Sequence, residues 1–212
     1  MRFEELIEQL GNVPVIDTET LLAGVSAPEA VKVQISRWEK AGKIIQIKRG
    51  IYLLADPYRK IDVYEPYLAS MLKKPSYVSL EKALEYHDMI PEAVLVYTSV
   101  TTKRPAKYIT KAGTFDYRHI RSDLFWGYNS VAVNKQTAFI ASPEKALLDY
   151  FYLREIKISE PYLEEMRLHN VEQIDIGKLI DYARRFRKPG ILRTAEIIKV
   201  YIESAERGEK RP

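Results

Sequence analysis

The chain has 212 residues, with 33 Lys and Arg against 29 Asp and Glu, for a formal net charge of +4. Its apolar fraction of 46% is enough for a sizeable core, and the absence of cysteine excludes disulfides, thiolate metal sites and cysteine nucleophiles. Glu4, Glu5 and Glu8 stand where a secretory leader needs an apolar run, and no apolar stretch approaches the roughly 18 residues of a membrane span. The expectation is a cytoplasmic protein with no membrane partner.

Phe3, Leu6, Ile7 and Leu10 recur at helical spacing, with Gly11 as the stop. Asp17 or Thr18 caps a short second helix over Glu19 to Ala23, and Gly24 makes a turn. Ser26-Ala27-Pro28-Glu29 reads as a capping box with proline in the first turn. It opens a third helix from about Ala27 to Ala41. Gly42 breaks that helix, and Ile44 to Ile47 and Ile51 to Leu54 read as a hairpin with Lys48-Arg49-Gly50 at its tip. Helix, short helix, turn, longer helix, hairpin is the order of a winged helix-turn-helix. The Pro- and Tyr-rich stretch from Asp56 to Tyr67 marks a boundary, so the spacing predicts a winged helix-turn-helix domain over 1–57 and a second domain over 58–212.

In the second part, Tyr64 to Lys73 and Ser79 to His87 read as helices. Strands follow over Ala93 to Val100, Lys107 to Thr110, Gly113 to Ile120, Ser130 to Val133 and Thr137 to Ile140. Ser142-Pro143-Glu144 opens a helix to about Arg154. Three further helices span Glu160 to Leu168, Ile176 to Phe186 and Ile191 to about Arg207. Strands gathered before a run of helices give an α+β class, with a larger mixed α/β C-terminal domain. Ser79-Leu80-Glu81-Lys82-Ala83-Leu84 resembles Ser142-Pro143-Glu144-Lys145-Ala146-Leu147, which reads as coincident helix capping.

The cations are not evenly spread. Between residues 32 and 49, Lys32, Arg37, Lys40, Lys43, Lys48 and Arg49 face a single acid, Glu39. With Val31, Ile35 and Trp38 on the buried face of the third helix, Val33, Ser36, Arg37 and Lys40 point away from the core, and Lys32 lies on the flank. Such a face suits the major groove of DNA. Ser36 and Arg37 would reach base edges, while Lys32, Lys40, Lys48 and Arg49 would reach phosphates. A solvated charged face is the plainer reading of the helix alone; the hairpin tip and the order of elements favour DNA. A second cluster, Thr102-Lys103-Arg104 with Lys107, Lys111, Arg118 and Arg121, fits DNA backbone, an acidic protein surface or only water. A third, Arg184 to Lys188, closes a helix, where its dipole favours cations.

Candidate catalytic groups are sparse. His87, His119 and His169 are far apart, and no metalloprotease, P-loop, dinucleotide or nucleophile-elbow motif occurs. Asp116 and Glu144 are a weak metal pair, Glu144 and Asp149 fit a helix start better, and His119 fits strand packing. No catalytic residue, metal or cofactor is expected.

Three segments together resemble a known family: "RWEKAGKIIQIKRGIYLL", then "SYVSLEKALEYHDMIPEAVLVYTSVTTKRP" continuing into "GTFDYRHI", then "ASPEKALLDYFYL". In this order they resemble the AbiEi antitoxins, transcriptional regulators of prokaryotic type IV toxin-antitoxin systems linked to abortive phage infection. The likeness covers roughly residues 1 to 155. It implies an N-terminal winged helix that represses its own operon at promoter repeats. It also implies a C-terminal domain that counteracts a nucleotidyltransferase-like toxin without a stable complex, and that has been associated with DNA contacts. Arg49, Gly50, Ile51 and Tyr52 match the family's wing, and Thr101, Thr102, Lys103 and Arg104 its Thr-Thr-basic-basic segment. The tail after Arg187 matches none of these motifs. The alternatives are a winged helix delivering a nuclease or nucleotidyltransferase domain to nucleic acid, and a winged helix used only for protein contacts.

Overall fold

A computed structural model of the chain describes residues 1–10 and 13–206. The expected helix stop at Gly11 and the end of the last helix near Arg207 lie outside them. The first half runs α1 (Phe3–Leu10), β1 (Val15–Asp17), α2 (Thr18–Leu22), α3 (Pro28–Lys40), β2 (Ile44–Lys48) and β3 (Ile51–Leu54). Asp17 caps α2 by accepting from the Glu19 N–H. The expected capping box at Ser26 does not form: Ala27 is the N-cap of α3, without a side-chain bond, and Pro28 starts the helix.

The three strands form one antiparallel sheet, ordered β1-β3-β2. Strand alternation sends its side chains to two different cores. Ile16, Ile44 and Leu54 pack with Phe3, Leu6, Leu21 and the buried face of α3. Val15, Ile47, Ile51 and Leu53 pack instead with Leu68, Leu72 and the core of the second half.

That second half runs α4 (Glu65–Leu72), β4 (Ser76–Val78), α5 (Leu80–Tyr86), β5 (Val96–Thr101), β6 (Ala106–Thr110), β7 (Gly113–His119), β8 (Tyr128–Val133), β9 (Gln136–Ala141), α6 (Pro143–Arg154), α7 (Glu160–Met166), α8 (Ile176–Arg185) and α9 (Pro189–Glu206). Its six strands form a mixed sheet, ordered β6-β7-β5-β4-β9-β8. The β5–β7 and β4–β9 pairs are parallel and the rest antiparallel. The molecule is therefore mixed α+β, as expected.

Tyr117 of β7 donates to the Ala69 carbonyl of α4 at 2.6 Å. Thr98 of β5, on the opposite face, donates to the Ser79 carbonyl at the start of α5 at 2.7 Å. The sheet is thus covered by α4 on one side and by α5 and α6 on the other, with α8 and α9 packed outside α6. The two similar six-residue stretches occupy related places: each follows one of two adjacent parallel strands, paired through Val78 and Ile140, and opens a helix. Both serines stand at N-cap positions, but only Ser142 caps with its side chain, accepting from the Lys145 N–H; Ser79 makes no such bond.

Candidate nucleic-acid interface

The third helix is anchored as its spacing requires. Val31, Ile35 and Trp38 are 4–7% exposed, and the ring of Phe3 packs against Trp38. On the other side Lys32, Val33, Ser36, Arg37 and Lys40 are all exposed. Val33 keeps half of its surface in water, which leaves an apolar group open on this face. Lys32 is not free, since its ammonium pairs with Glu29 at 2.7 Å. Both groups are largely exposed, so the pair is weak and easily exchanged.

The hairpin tip is held in place by α2. Thr18 gives both its N–H and its hydroxyl to the Gly50 carbonyl, at 2.9 and 3.0 Å. Gly50 sits at φ +87°, where a side chain is strained, and a Cβ there would lie 3.2 Å from Thr18 Oγ1. Arg49, beside it, is exposed.

Lys48 departs from the expectation of a cation at the outer tip. A bulge between Gln46 and Lys48 sets Lys48 opposite Ile51, so both face the second half. The ammonium donates to the Leu72 carbonyl at 2.7 Å and lies 4.7 Å from the centre of the Tyr108 ring. Lys48 ties the hairpin to α4 and β6 rather than reaching outward. Lys74 bridges the same two halves by pairing with Asp17 at 3.2 Å.

These ties place the first two basic clusters side by side. A cleft of about 830 Å³ opens between α3, the hairpin tip, the end of α4 and the end of β5, and Lys32, Ser36, Arg49, Lys73, Lys74 and Lys103 are among the residues lining it. Asp17, Glu19 and Glu39 are its acids. Strand pairing explains the meeting. Ser76 of β4 lies opposite Thr101 of β5, and the Thr101 hydroxyl donates to the Pro75 carbonyl at 2.7 Å. The Thr-Thr-basic-basic segment is therefore held against the Lys73-Lys74-Pro75 turn. Thr102 is half-buried, and Lys103 and Arg104 are exposed. Arg37 and Lys40 are not among the cleft residues; they extend the exposed face of α3 away from it. Lys73 and Lys74 lie between the two basic clusters in the sequence, more than twenty residues from each, so no local pattern joins them to either.

The remaining candidates are engaged elsewhere. Arg184 pairs with Asp181 at 3.0 Å, Arg185 stacks on Trp126 at 3.8 Å, and Lys188 lies over Tyr152 at 5.0 Å. His87 is within hydrogen-bond distance of the Ala141 carbonyl, at 2.7 Å, and His119 of the Lys103 carbonyl, at 3.1 Å. Asp116 pairs with Arg118; three residues from His119 on one strand, it faces the other side of the sheet. Glu144 is buried and receives Lys178 at 2.8 Å, Ser142 at 2.7 Å and the Asp175 N–H at 3.1 Å. Burial pushes its carboxyl upward, but these donors outweigh burial and hold it below the ordinary value. Among the described residues, no three His, Asp or Glu side chains form a group able to hold a metal.

Asp149 and Lys145 form a buried ion pair that the sequence reading passed over. Tyr77 and Ser79 donate to the same carboxylate at 2.8 and 2.9 Å, and the ammonium lies among the rings of Trp126, Phe186 and Tyr77. Burial lowers the pKa of Lys145, with Asp149 opposing the shift. Gly127 leaves room for this lysine: a Cβ there would stand 3.0 Å from Lys145 Cγ. Both side chains are wholly enclosed, so the pair is part of the core.

No helix among the described residues is long and apolar enough to cross a membrane. The chain matches no protein-family model and none of the curated proteins compared with it.

Proposed function

We propose that this protein is a DNA-binding transcriptional repressor that serves as the antitoxin of a type IV toxin-antitoxin system. In this reading the first half is a winged helix-turn-helix and α3 is its recognition helix. The observation that carries the DNA reading is the outer face of α3, where Ser36, Arg37 and Lys40 are exposed on a helix anchored by three buried apolar residues. Arg37 and Ser36 would read base edges in the major groove, and Lys40 and Arg49 would hold phosphates on either side. Lys48 has no DNA contact in this scheme; it fixes the wing against the second half.

The antitoxin part rests on the likeness of residues 76 to 153 to the AbiEi antitoxins. It gives the protein a non-enzymatic role, with its own promoter repeats and a nucleotidyltransferase-like toxin as functional partners. The rival reading, an enzyme delivered to nucleic acid, needs Asp116, Glu144 and His119 to converge. Asp116 and His119 face opposite sides of β7, and Glu144 is enclosed by Lys178, Ser142 and Asp175.

Gel-shift titration on the gene's own promoter at several salt concentrations tests the DNA reading. Salt-sensitive, promoter-preferring binding is expected, and its absence would sink the repressor role. Co-expression with a nucleotidyltransferase-like toxin encoded beside this gene would test the antitoxin role through rescue of growth, and the lack of such a neighbouring gene would count against it.

A further inference from the structure

We infer that the cleft between the two halves contains a phosphate seat built from Arg49 of the hairpin, Lys73 at the end of α4 and Lys103 at the end of β5. This rests in part on the DNA reading, because a nucleic-acid backbone alongside α3 is one source of the phosphate. The same chemistry admits a free polyphosphate anion.

The cations of the cleft fall into two groups. Lys48 is held by the Leu72 carbonyl, Lys74 by Asp17, and Lys32 by Glu29. Arg49, Lys73 and Lys103 line the same cleft and, among the described residues, have no carboxylate partner. Asp17 is engaged twice over, as the cap of α2 and as the partner of Lys74. Glu19 and Glu39 remain as the acids opposing the three free cations.

The wall of the seat is fixed. Thr18 holds the tip carrying Arg49, the Thr101 hydroxyl binds Pro75, and Lys48 joins the hairpin to the end of α4. Three cations lining one cleft without carboxylate partners gain most from a multiply charged anion. Since the seat draws on both halves, its occupant would also resist their separation.

The test uses the full chain, wild type and Lys73→Ala/Lys103→Ala, with Lys73→Arg/Lys103→Arg as a charge-retaining control. Circular dichroism first verifies that each variant is folded. Two probes are titrated: a duplex of arbitrary sequence across a salt series, and tripolyphosphate by calorimetry. Loss of two phosphate contacts should lower the slope of log K against log salt by about two and weaken duplex binding on the order of tenfold at moderate salt. Tripolyphosphate should bind the wild type and the Arg variant but not the Ala variant. A change confined to the duplex assigns the seat to nucleic acid, and one confined to tripolyphosphate assigns it to a free anion.

The inference is overturned if the Ala variant keeps the wild-type duplex affinity and salt slope and its tripolyphosphate titration matches that of the wild type. Arg37→Ala separates the two readings. Promoter binding that depends on Arg37 but not on the seat leaves the repressor and removes the seat. Seat-dependent tripolyphosphate binding without any DNA binding does the reverse.

Discussion

The cations of α3 and the lysine of α6 meet opposite surroundings. On α3, Lys32, Arg37 and Lys40 stand in water above an apolar anchor. On α6, Lys145 is wholly enclosed, paired with Asp149 and ringed by aromatic side chains. The first group can change partners at little cost, because water already solvates it. The second cannot, because removing either charge strands the other in a medium that solvates it poorly. A basic residue thus signals recognition only where it is open to a partner; a buried one specifies packing.

The largest expected effect lies on the buried side. Asp149→Leu strips Lys145 of its counter-charge and leaves the Tyr77 and Ser79 hydroxyls without their acceptor. It should cost about 3–5 kcal/mol in chemical denaturation. Adding Lys145→Met should return part of that loss, and a double variant no better than the single would erase the distinction drawn above.

Next comes the open face. Arg37→Ala should cost about 1–3 kcal/mol of discrimination between promoter and unrelated DNA, with little change in folding stability. Arg49→Ala should weaken binding to all sequences alike and reduce the salt slope by about one. Competition titrations at two salt concentrations separate the two effects. Equal losses on specific and non-specific DNA for Arg37→Ala would show that it contacts only backbone.

Gly50→Ala tests the tip itself. A left-handed backbone and the nearby Thr18 hydroxyl should cost about 1–2 kcal/mol in thermal or denaturant unfolding. The loss should also fall on DNA affinity, since Arg49 is carried on the same turn.

The smallest effect concerns Glu144, whose carboxyl is held low by Lys178, Ser142 and Asp175 despite its burial. A depressed folded pKa stabilises the protein above the unfolded carboxylate value and loses that contribution as pH falls through the folded one. Lys178→Met should therefore be less stable than wild type near neutral pH, by no more than about 1 kcal/mol because Lys178 is partly exposed. The gap should narrow on acidification, as pH-dependent melting would show.

The helices of both halves and most strands were legible because periodicity of apolar residues reports burial locally. β1 and β4 were not, having three residues each; their identity depends on partners far along the chain, and three residues hold too little alternation to see. The outer face of α3 could be read from Val31, Ile35 and Trp38. The inward turn of Lys48 could not, because it follows from a bulge and a carbonyl 24 residues away. Lys73 and Lys74 join the cleft through the Lys48–Leu72 and Lys74–Asp17 contacts, and meet Lys103 through the pairing of β4 with β5. The i,i+4 spacing of Lys145 and Asp149 was visible, but their enclosure depends on Trp126 and Phe186 from remote segments.

The three-stranded sheet has one further consequence. Because Val15, Ile47, Ile51 and Leu53 belong to the core of the second half, this sheet is a shared partition rather than the outer wall of a detachable head. A fragment cut after residue 57 would carry that oily surface into water and should self-associate. Excision is therefore the wrong way to isolate the first half; point changes in the intact chain leave the partition covered on both sides.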